Sequence, residues 1–217
     1  MRRIFLAFIL LSVLLFYSTV VFADAPVKYN INNYNSGITV NKDGSVKIDE
    51  YINMNSSRKY FGPIKRIDLA NASSVEISKI CALEKIDKQD IKNSSKQELK
   101  HDDVLSTKDR SYYGLNTDNE GESQYINVLA SKGNNAYSLS YILYDLVSIY
   151  DDAAVLSLDV APLCNETKLD NGEIDISLPK PFPKDDTQVY VFGCYDYEVQ
   201  SFDEGFKVKI HNIKKNQ

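Results

Sequence analysis

The chain has 217 residues, of which 43% are hydrophobic and 25% are charged, and its formal net charge is −5 at pH 7. An acidic surface repels phosphate backbones, and no basic stripe interrupts it, so the composition argues against nucleic acid as a partner. The length suits one domain or two small ones.

The first 23 residues have the parts of a secretory signal peptide. Arg2 and Arg3 precede an apolar run from Ile4 to Phe22, and a small residue, Ala23, follows it. We predict cleavage after Ala23, which removes two arginines and no acids and changes the net charge from −5 to about −7. The alternative is an uncleaved anchor, since the run approaches the roughly 20 residues that span a bilayer. Both outcomes predict an extracytoplasmic domain, secreted or at the outer face of the cell membrane.

Apolar and polar residues alternate through most of the remaining chain, which predicts β-strands half buried in a sheet. The clearest strands are residues 38–40, 45–54, 75–80 and 174–178, and a C-terminal hairpin turns at residues 203–205. Short strands between turn residues are typical of a sandwich or barrel. We therefore predict a mainly β fold, an antiparallel β-sandwich of immunoglobulin-like or Greek-key type, formed by residues 24–217 as a single domain.

Two segments depart from this alternation. Residues 84–123 are highly polar and predict a loop excursion, disordered except for one helical turn capped by Ser95 and Glu98. Residues 137–150 fit one face of a helix, yet their tyrosines and leucines also alternate as in a strand. Periodicity alone leaves helix and strand open for this second segment.

Residues 39–50 have the spacing of a calcium-binding EF-hand loop, with Asp43, Gly44 and Glu50 at ligand and turn positions. The first ligand position holds Thr39 rather than Asp, and neither flank has the pattern of a helix. A β-hairpin needs only Asp43-Gly44 as a two-residue turn, because glycine accepts a positive φ. The hairpin is therefore the favoured interpretation.

The hairpin does not explain Glu50, a charged residue that falls on the same strand face as Val46, Ile48 and Ile52. A buried carboxylate is costly unless it is paired. Arg66 is the candidate partner on a neighbouring strand, and we predict a structural ion pair between Glu50 and Arg66. The alternative is a β-bulge that turns Glu50 out to solvent.

Motifs for catalysis or metal binding are weak in this sequence. The two histidines, His101 and His211, fall in the polar segment and in the last hairpin, and no serine occupies a nucleophile-elbow motif. Three cysteines in an exported chain permit at most one internal disulfide, for which Cys164–Cys194 is the candidate pair; three buried thiols acting as small apolar residues are the favoured interpretation. No catalytic residue, cofactor or metal site is predicted.

Four motifs, in this order along the chain, resemble the extracellular N-terminal domain of a bacterial family of predicted membrane proteins, the YciQ-like proteins of domain of unknown function 2207. The motifs are the Asp43-Gly44-Ser45-Val46-Lys47-Ile48-Asp49-Glu50 hairpin, the Gly62-Pro63-Ile64-Lys65-Arg66 stretch, Tyr137–Tyr141 with Tyr150-Asp151, and the strand from Ile174 to Pro179. The resemblance implies a strand at residues 137–144, a membrane-associated location and no known reaction.

Members of this family usually continue into transmembrane helices, so the resemblance also implies that the chain is a secreted relative or is truncated before such a helix. We expect a non-catalytic binding or structural module, with a protein or cell-envelope component as partner and membrane association through the N-terminal segment or a missing C-terminal helix. The alternative is a secreted hydrolase or metal-dependent enzyme that uses His101 and the acidic loops.

Overall fold

The protein is described by a computed structural model for residues 29–83, 96–101, 112–118, 120–151, 153–159, 168–180, 186–192 and 194–213. The predicted signal peptide, residues 1–23, lies outside these ranges. Fourteen β-strands occupy most of the described chain. They are β1 (Tyr29–Val40), β2 (Val46–Ser56), β3 (Tyr60–Asp68), β4 (Ser74–Leu83), β5 (Lys96–Glu98), β6 (Lys100–His101), β7 (Tyr112–Thr117), β8 (Ser123–Ala130), β9 (Gly133–Tyr144), β10 (Val147–Ile149), β11 (Ala154–Leu156), β12 (Leu169–Ser177), β13 (Tyr197–Phe202) and β14 (Gly205–Ile213).

The strands form two main sheets and a short ribbon. The large sheet has the order β13-β14-β12-β1-β2-β9-β4-β5, the small sheet has the order β3-β8-β7-β6, and β10 pairs with β11. Apolar residues from both main sheets form one core, for example Ile48 and Ile52 of the large sheet with Ile67 and Ile126 of the small sheet. The small sheet therefore covers part of one face of the large sheet, as in a sandwich.

The prediction of a mainly β fold is confirmed. The sheets are mixed rather than purely antiparallel, because β1 pairs with β12 in parallel and β6 pairs with β7 in parallel. The parallel partner of β1 begins at Leu169, far along the chain from Val40. Alternation within a strand carries no information on the direction of such a distant partner, so the parallel pairs could not be read from it.

Residues 137–144 are a strand, as the family resemblance implied, and they lie within β9 between β2 and β4. The predicted loop excursion at residues 84–123 was wrong in part, because β5, β6 and β7 fall inside it. The predicted helical turn was wrong at Glu98, which pairs with Cys81 in the ladder between β4 and β5. Residues 84–95 lie outside the described part of the chain. Strands of two to six residues bury too few side chains to leave an apolar alternation in the sequence.

The hairpin between β1 and β2 confirms the favoured interpretation of the calcium-like spacing. Asn41 N donates to Ser45 O at 2.8 Å, and Gly44 N donates to Asn41 O at 3.1 Å. The loop is therefore three residues long, one more than predicted, with Gly44 at φ 83°. The Asp43 carboxylate accepts bonds from the backbone and hydroxyl of Ser45, which hold the pKa of Asp43 below its ordinary value.

Candidate functional site

Glu50 lies at the centre of the large sheet and faces its core. It belongs to β2, between β1 and β9, where it pairs with Ser36 on one side and Leu139 on the other. Its side chain is fully shielded from solvent. The inward orientation predicted from the alternation is thus correct, and the proposed bulge at Glu50 does not occur.

The cation that pairs with Glu50 is Lys65, not the predicted Arg66. Lys65 Nζ lies 2.8 Å from Glu50 Oε1, and the Lys65 side chain is also fully shielded. Arg66 instead donates from Nε to Ser123 Oγ at 3.1 Å. The pair joins β2 of the large sheet to β3 of the small sheet.

A β-bulge explains why the choice between neighbouring cations was wrong. The register between β3 and β8 shifts between Pro63 and Lys65, so that Ile64 and Lys65 are both buried instead of alternating. A strict period of two from Ile64 would have put Lys65 outside and Arg66 inside. Pro63 was the one sequence signal of this irregularity, because proline within a strand is confined to edges and bulges.

Two tyrosines complete the polar cluster around Glu50. The Tyr34 hydroxyl donates to Glu50 Oε1 at 2.5 Å, so this one oxygen accepts from both Tyr34 and Lys65. Burial, followed by the nearby Glu50 carboxylate, raises the pKa of Tyr34 and of Tyr141 well above the ordinary value. Both hydroxyls therefore stay protonated at neutral pH and act as donors rather than charges. Glu50 Oε2 is buried without a hydrogen-bond partner within the described ranges.

We name Tyr34, Glu50, Lys65 and Tyr141 the core polar cluster. Removing one partner of a buried ion pair leaves an uncompensated charge, which costs about 3–5 kcal/mol. The cluster is closed to solvent on all four side chains. Its arrangement is suited to holding the two sheets in one register.

A cavity of about 280 Å³ lies beside the core polar cluster at one end of the sandwich. Tyr141 forms part of its wall, as does Asp159, whose backbone carbonyl lies 3.5 Å from Lys65 Nζ. Its apolar wall includes Ile48 and Leu146, and Phe192 stands at its edge with 90% of its surface exposed. The cavity is thus bordered by segments that lead into the β10–β11 ribbon and by the segment before β13.

The remaining predicted residues are not brought together. His101, on β6, has its ring 5.3 Å from that of Tyr113, and His211 lies on β14 of the other sheet. No group of three or more His, Cys, Asp or Glu side chains that could hold a metal ion occurs within the described ranges.

Cys194 is buried, and its Sγ lies 3.3 Å from the backbone carbonyl oxygen of Asp196. Its predicted disulfide partner, Cys164, lies outside the described residues, so the pairing stays a prediction. Cys81 is a buried free thiol, and it packs with Tyr51, Leu83 and Ala136 on the other face of the large sheet.

Lys65, Tyr34 and Tyr141 were missed as members of the site. Tyr34 and Tyr141 lie on strands that flank β2, but only the pairing of β1 and β9 with β2 brings their hydroxyls to Glu50. A carboxylate on an apolar face was the usable signal, because it required polar partners somewhere in the core.

No curated protein matches the chain. Among solved structures, the chain is similar to a protease candidate from Parabacteroides distasonis (TM-score 0.43, 11% identity, covering 88% of this chain and 36% of that one). It is also similar to yeast LTA4 hydrolase in complex with bestatin (TM-score 0.44, 9% identity, covering 85% of this chain and 27% of that one). A third similar structure is an M1 zinc metallopeptidase from Deinococcus radiodurans (TM-score 0.39, 8% identity, covering 86% of this chain and 39% of that one). The chain spans less than half the length of each, and similarities this distant do not bear on its activity.

The part of the chain that the structure describes contains no helix with the length and apolarity to cross a bilayer.

The resemblance seen in the Asp43–Glu50 hairpin and the later motifs is confirmed over nearly the whole chain. Residues 30–217 match the family described as the N-terminal domain of predicted membrane proteins, DUF2207, and the chain therefore belongs to this family.

Proposed function

We propose that this domain is a non-catalytic binding module on the extracytoplasmic side of a membrane protein, and that it engages a protein or cell-envelope component. The proposal rests on a division of the molecule into a closed frame and an exposed apolar surface. The family match supports the membrane association, and the N-terminal apolar run supports export.

The frame is held by the core polar cluster. Glu50 and Lys65 face each other across the sandwich, and both side chains are closed to solvent, so this ion pair is not presented to a substrate. Such a cluster fixes the relative position of two sheets. A rigid scaffold of this kind is what a binding surface built on loops requires.

The exposed apolar surface is the observation that carries the proposal. Large hydrophobic side chains are exposed in two segments, residues 149–155 and 190–199. Ile149 is 82% exposed and Phe192 is 90% exposed. Five of these side chains, which we name the apolar rim, belong to the two segments that adjoin the cavity: Ile149, Tyr150, Val155, Tyr190 and Phe192.

Both segments adjoin the cavity. Phe192 borders it together with Leu146 and Leu158, the residues that flank the β10–β11 ribbon. Clustered exposed apolar and aromatic side chains are characteristic of interaction sites, because a soluble surface rarely retains them without a partner. Tyrosine and phenylalanine are also enriched in protein interfaces.

Site-specific photo-cross-linking in living cells tests this proposal on the full chain. A photoreactive residue at Phe192 should give a discrete cross-linked product, because the apolar rim contacts the partner. The matched control is Lys132, an exposed residue in the turn between β8 and β9, at the end of β9 away from Leu143. Equal products at Phe192 and Lys132 would contradict a specific surface.

An enzyme assay distinguishes the binding module from the alternative function. Panels of peptide, ester and glycoside substrates should show no turnover with the purified full chain. Turnover that His101→Ala abolishes would overturn the proposal and favour a hydrolase.

A further inference from the structure

β13 is the edge strand of the large sheet, and its outer side has no strand partner in the described part of the chain. It pairs only with β14, in an antiparallel ladder from Tyr197 opposite Ile210 to Phe202 opposite Gly205. Five of its six residues are exposed. An edge of this kind offers unpaired backbone donors and acceptors to another strand.

The backbone groups that face this open edge can be assigned from the ladder. His211 N donates to Asp196 O at 3.0 Å, which makes this a hydrogen-bonded pair. Hydrogen-bonded and non-hydrogen-bonded pairs alternate along an antiparallel ladder, so Glu198 and Gln200 bond to β14. The N–H and C=O groups of Tyr197, Val199 and Ser201 therefore point away from β14 toward the open edge.

β13 lacks the devices that usually protect an edge strand. Its sequence, YEVQSF, contains no proline and no lysine, and its register with β14 runs without a bulge. Tyr197 and Val199 pair with the buried residues Ile210 and Val208, so they continue the apolar face of the sheet. They are nevertheless 40% and 39% exposed. The inner face of the large sheet is thus left uncovered along this strand.

We propose that β13 pairs with β13 of a second copy of this chain, antiparallel and about a two-fold axis at Val199. In this register Val199 lies opposite Val199, Tyr197 lies opposite Ser201, and Glu198 lies opposite Gln200 of the second copy. Tyr197 and Val199 of both copies then form one apolar strip, and the charge of Glu198 meets a neutral hydrogen-bonding amide instead of a like charge.

This arrangement closes at two copies, because each chain contributes its one open β13 edge. Strands of six residues bury less than the roughly 1,200–2,000 Å² of a stable interface, so we expect reversible association that depends on the local density of the chain. The interface is separate from the apolar rim, so loss of one leaves the other in place.

Cysteine cross-linking of the full chain in its native membrane or medium tests the register. Val199→Cys should give a disulfide-linked dimer, because directly opposed residues lie about 5.5 Å apart at Cα, within disulfide range. Glu198→Cys should cross-link with Gln200→Cys when the two are co-expressed. Glu198→Cys alone should not, because diagonal residues are about 7–8 Å apart. The chain with only its native cysteines is the negative control for cross-linking.

A proline variant separates the pairing from folding. Val199→Pro removes the outward N–H of residue 199 but no hydrogen bond to β14. Introduced into both the Glu198→Cys chain and the Gln200→Cys chain, it should abolish their cross-link. It should not lower the unfolding temperature, because the ladder to β14 stays intact. Val199→Thr keeps the donor and should retain the cross-link. The absence of a Val199→Cys dimer, or equal cross-linking by Glu198→Cys alone, would overturn the proposal.

Discussion

Lys65 Nζ lies 2.8 Å from Glu50 Oε1, and neither side chain is reached by solvent. The two residues belong to different sheets, so a single buried ion pair ties β2 to β3 across the core. Each charge depends on the other, because an isolated charge in a low-dielectric interior is strongly unfavourable. Removal of either partner alone is therefore expected to destabilise the sandwich.

Lys65→Met should lower the free energy of unfolding by about 3–5 kcal/mol, because it leaves the Glu50 carboxylate buried without a cation. Urea denaturation of the wild type and the variant measures the difference. The double variant Glu50→Leu with Lys65→Met should recover much of the loss, since no unpaired charge remains.

Arg66→Ala is the matched control for this pair. It removes one partly exposed contact with Ser123 and should cost about 1 kcal/mol or less. If Arg66→Ala lowered the free energy of unfolding as much as Lys65→Met, Arg66 rather than Lys65 would be the partner of Glu50.

Tyr34→Phe should destabilise the fold by about 1.5–3 kcal/mol, because a hydrogen bond to a buried carboxylate is lost while the ring is kept. The same denaturation assay reports this change. Tyr51→Phe is a suitable control, since Tyr51 lies on the opposite face of the sheet in a separate apolar cluster. Equal losses for the two variants would argue against a special role for Tyr34.

Alkaline pH should destabilise the wild type through Tyr34 and Tyr141. Their pKa values are raised in the folded state by burial and by Glu50, whereas the unfolded chain releases these protons near pH 10. The folded state then binds more protons than the unfolded state, so stability is complete below pH 10 and falls as the pH rises above it. The variant Tyr34→Phe with Tyr141→Phe should lose stability less steeply above pH 10, as measured by unfolding at fixed pH values. An identical slope for both proteins would contradict this linkage.

Gly205→Ala should prevent or severely weaken folding of the C-terminal hairpin. A Cβ at this position would lie 1.8 Å from the Ile176 carbonyl oxygen on β12, and this is a backbone atom that cannot move aside as a flexible side chain would. Gly44→Ala is the control, because its added Cβ meets nothing within 4 Å and only the positive φ is strained. That strain costs about 1–2 kcal/mol. Soluble yield and thermal unfolding distinguish the two, and a milder effect at Gly205 than at Gly44 would refute the close approach.

Calcium should not change the stability of the β1–β2 hairpin. The Asp43 carboxylate is engaged by Ser45 in the turn, and Glu50 faces the core, so the two do not converge on one ion. Thermal unfolding of the full chain should be the same with millimolar calcium and with a chelator. A calcium-dependent rise that Asp43→Ala removes would restore the metal-loop interpretation.

Local patterns sufficed for most strands and for the inward direction of Glu50. The strand β2 and the hairpin at Asp43-Gly44 depend on residues adjacent in the chain, and these predictions were confirmed except for the length of the turn. The strand at β9 could not be separated from a helix by periodicity, because Leu139 and Leu143 suit both spacings. Pairing with β2 and β4 decided it.

The sequence by itself determined a β-rich domain and a carboxylate that had to be satisfied in the core. Only the tertiary structure decided which groups satisfy it. The bulge after Pro63 turns Lys65 inward, and the packing of the two sheets brings its ammonium group to Glu50. Such a contact depends on a one-residue shift in a distant strand, and a shift of that size moves a side chain from one face of a sheet to the other.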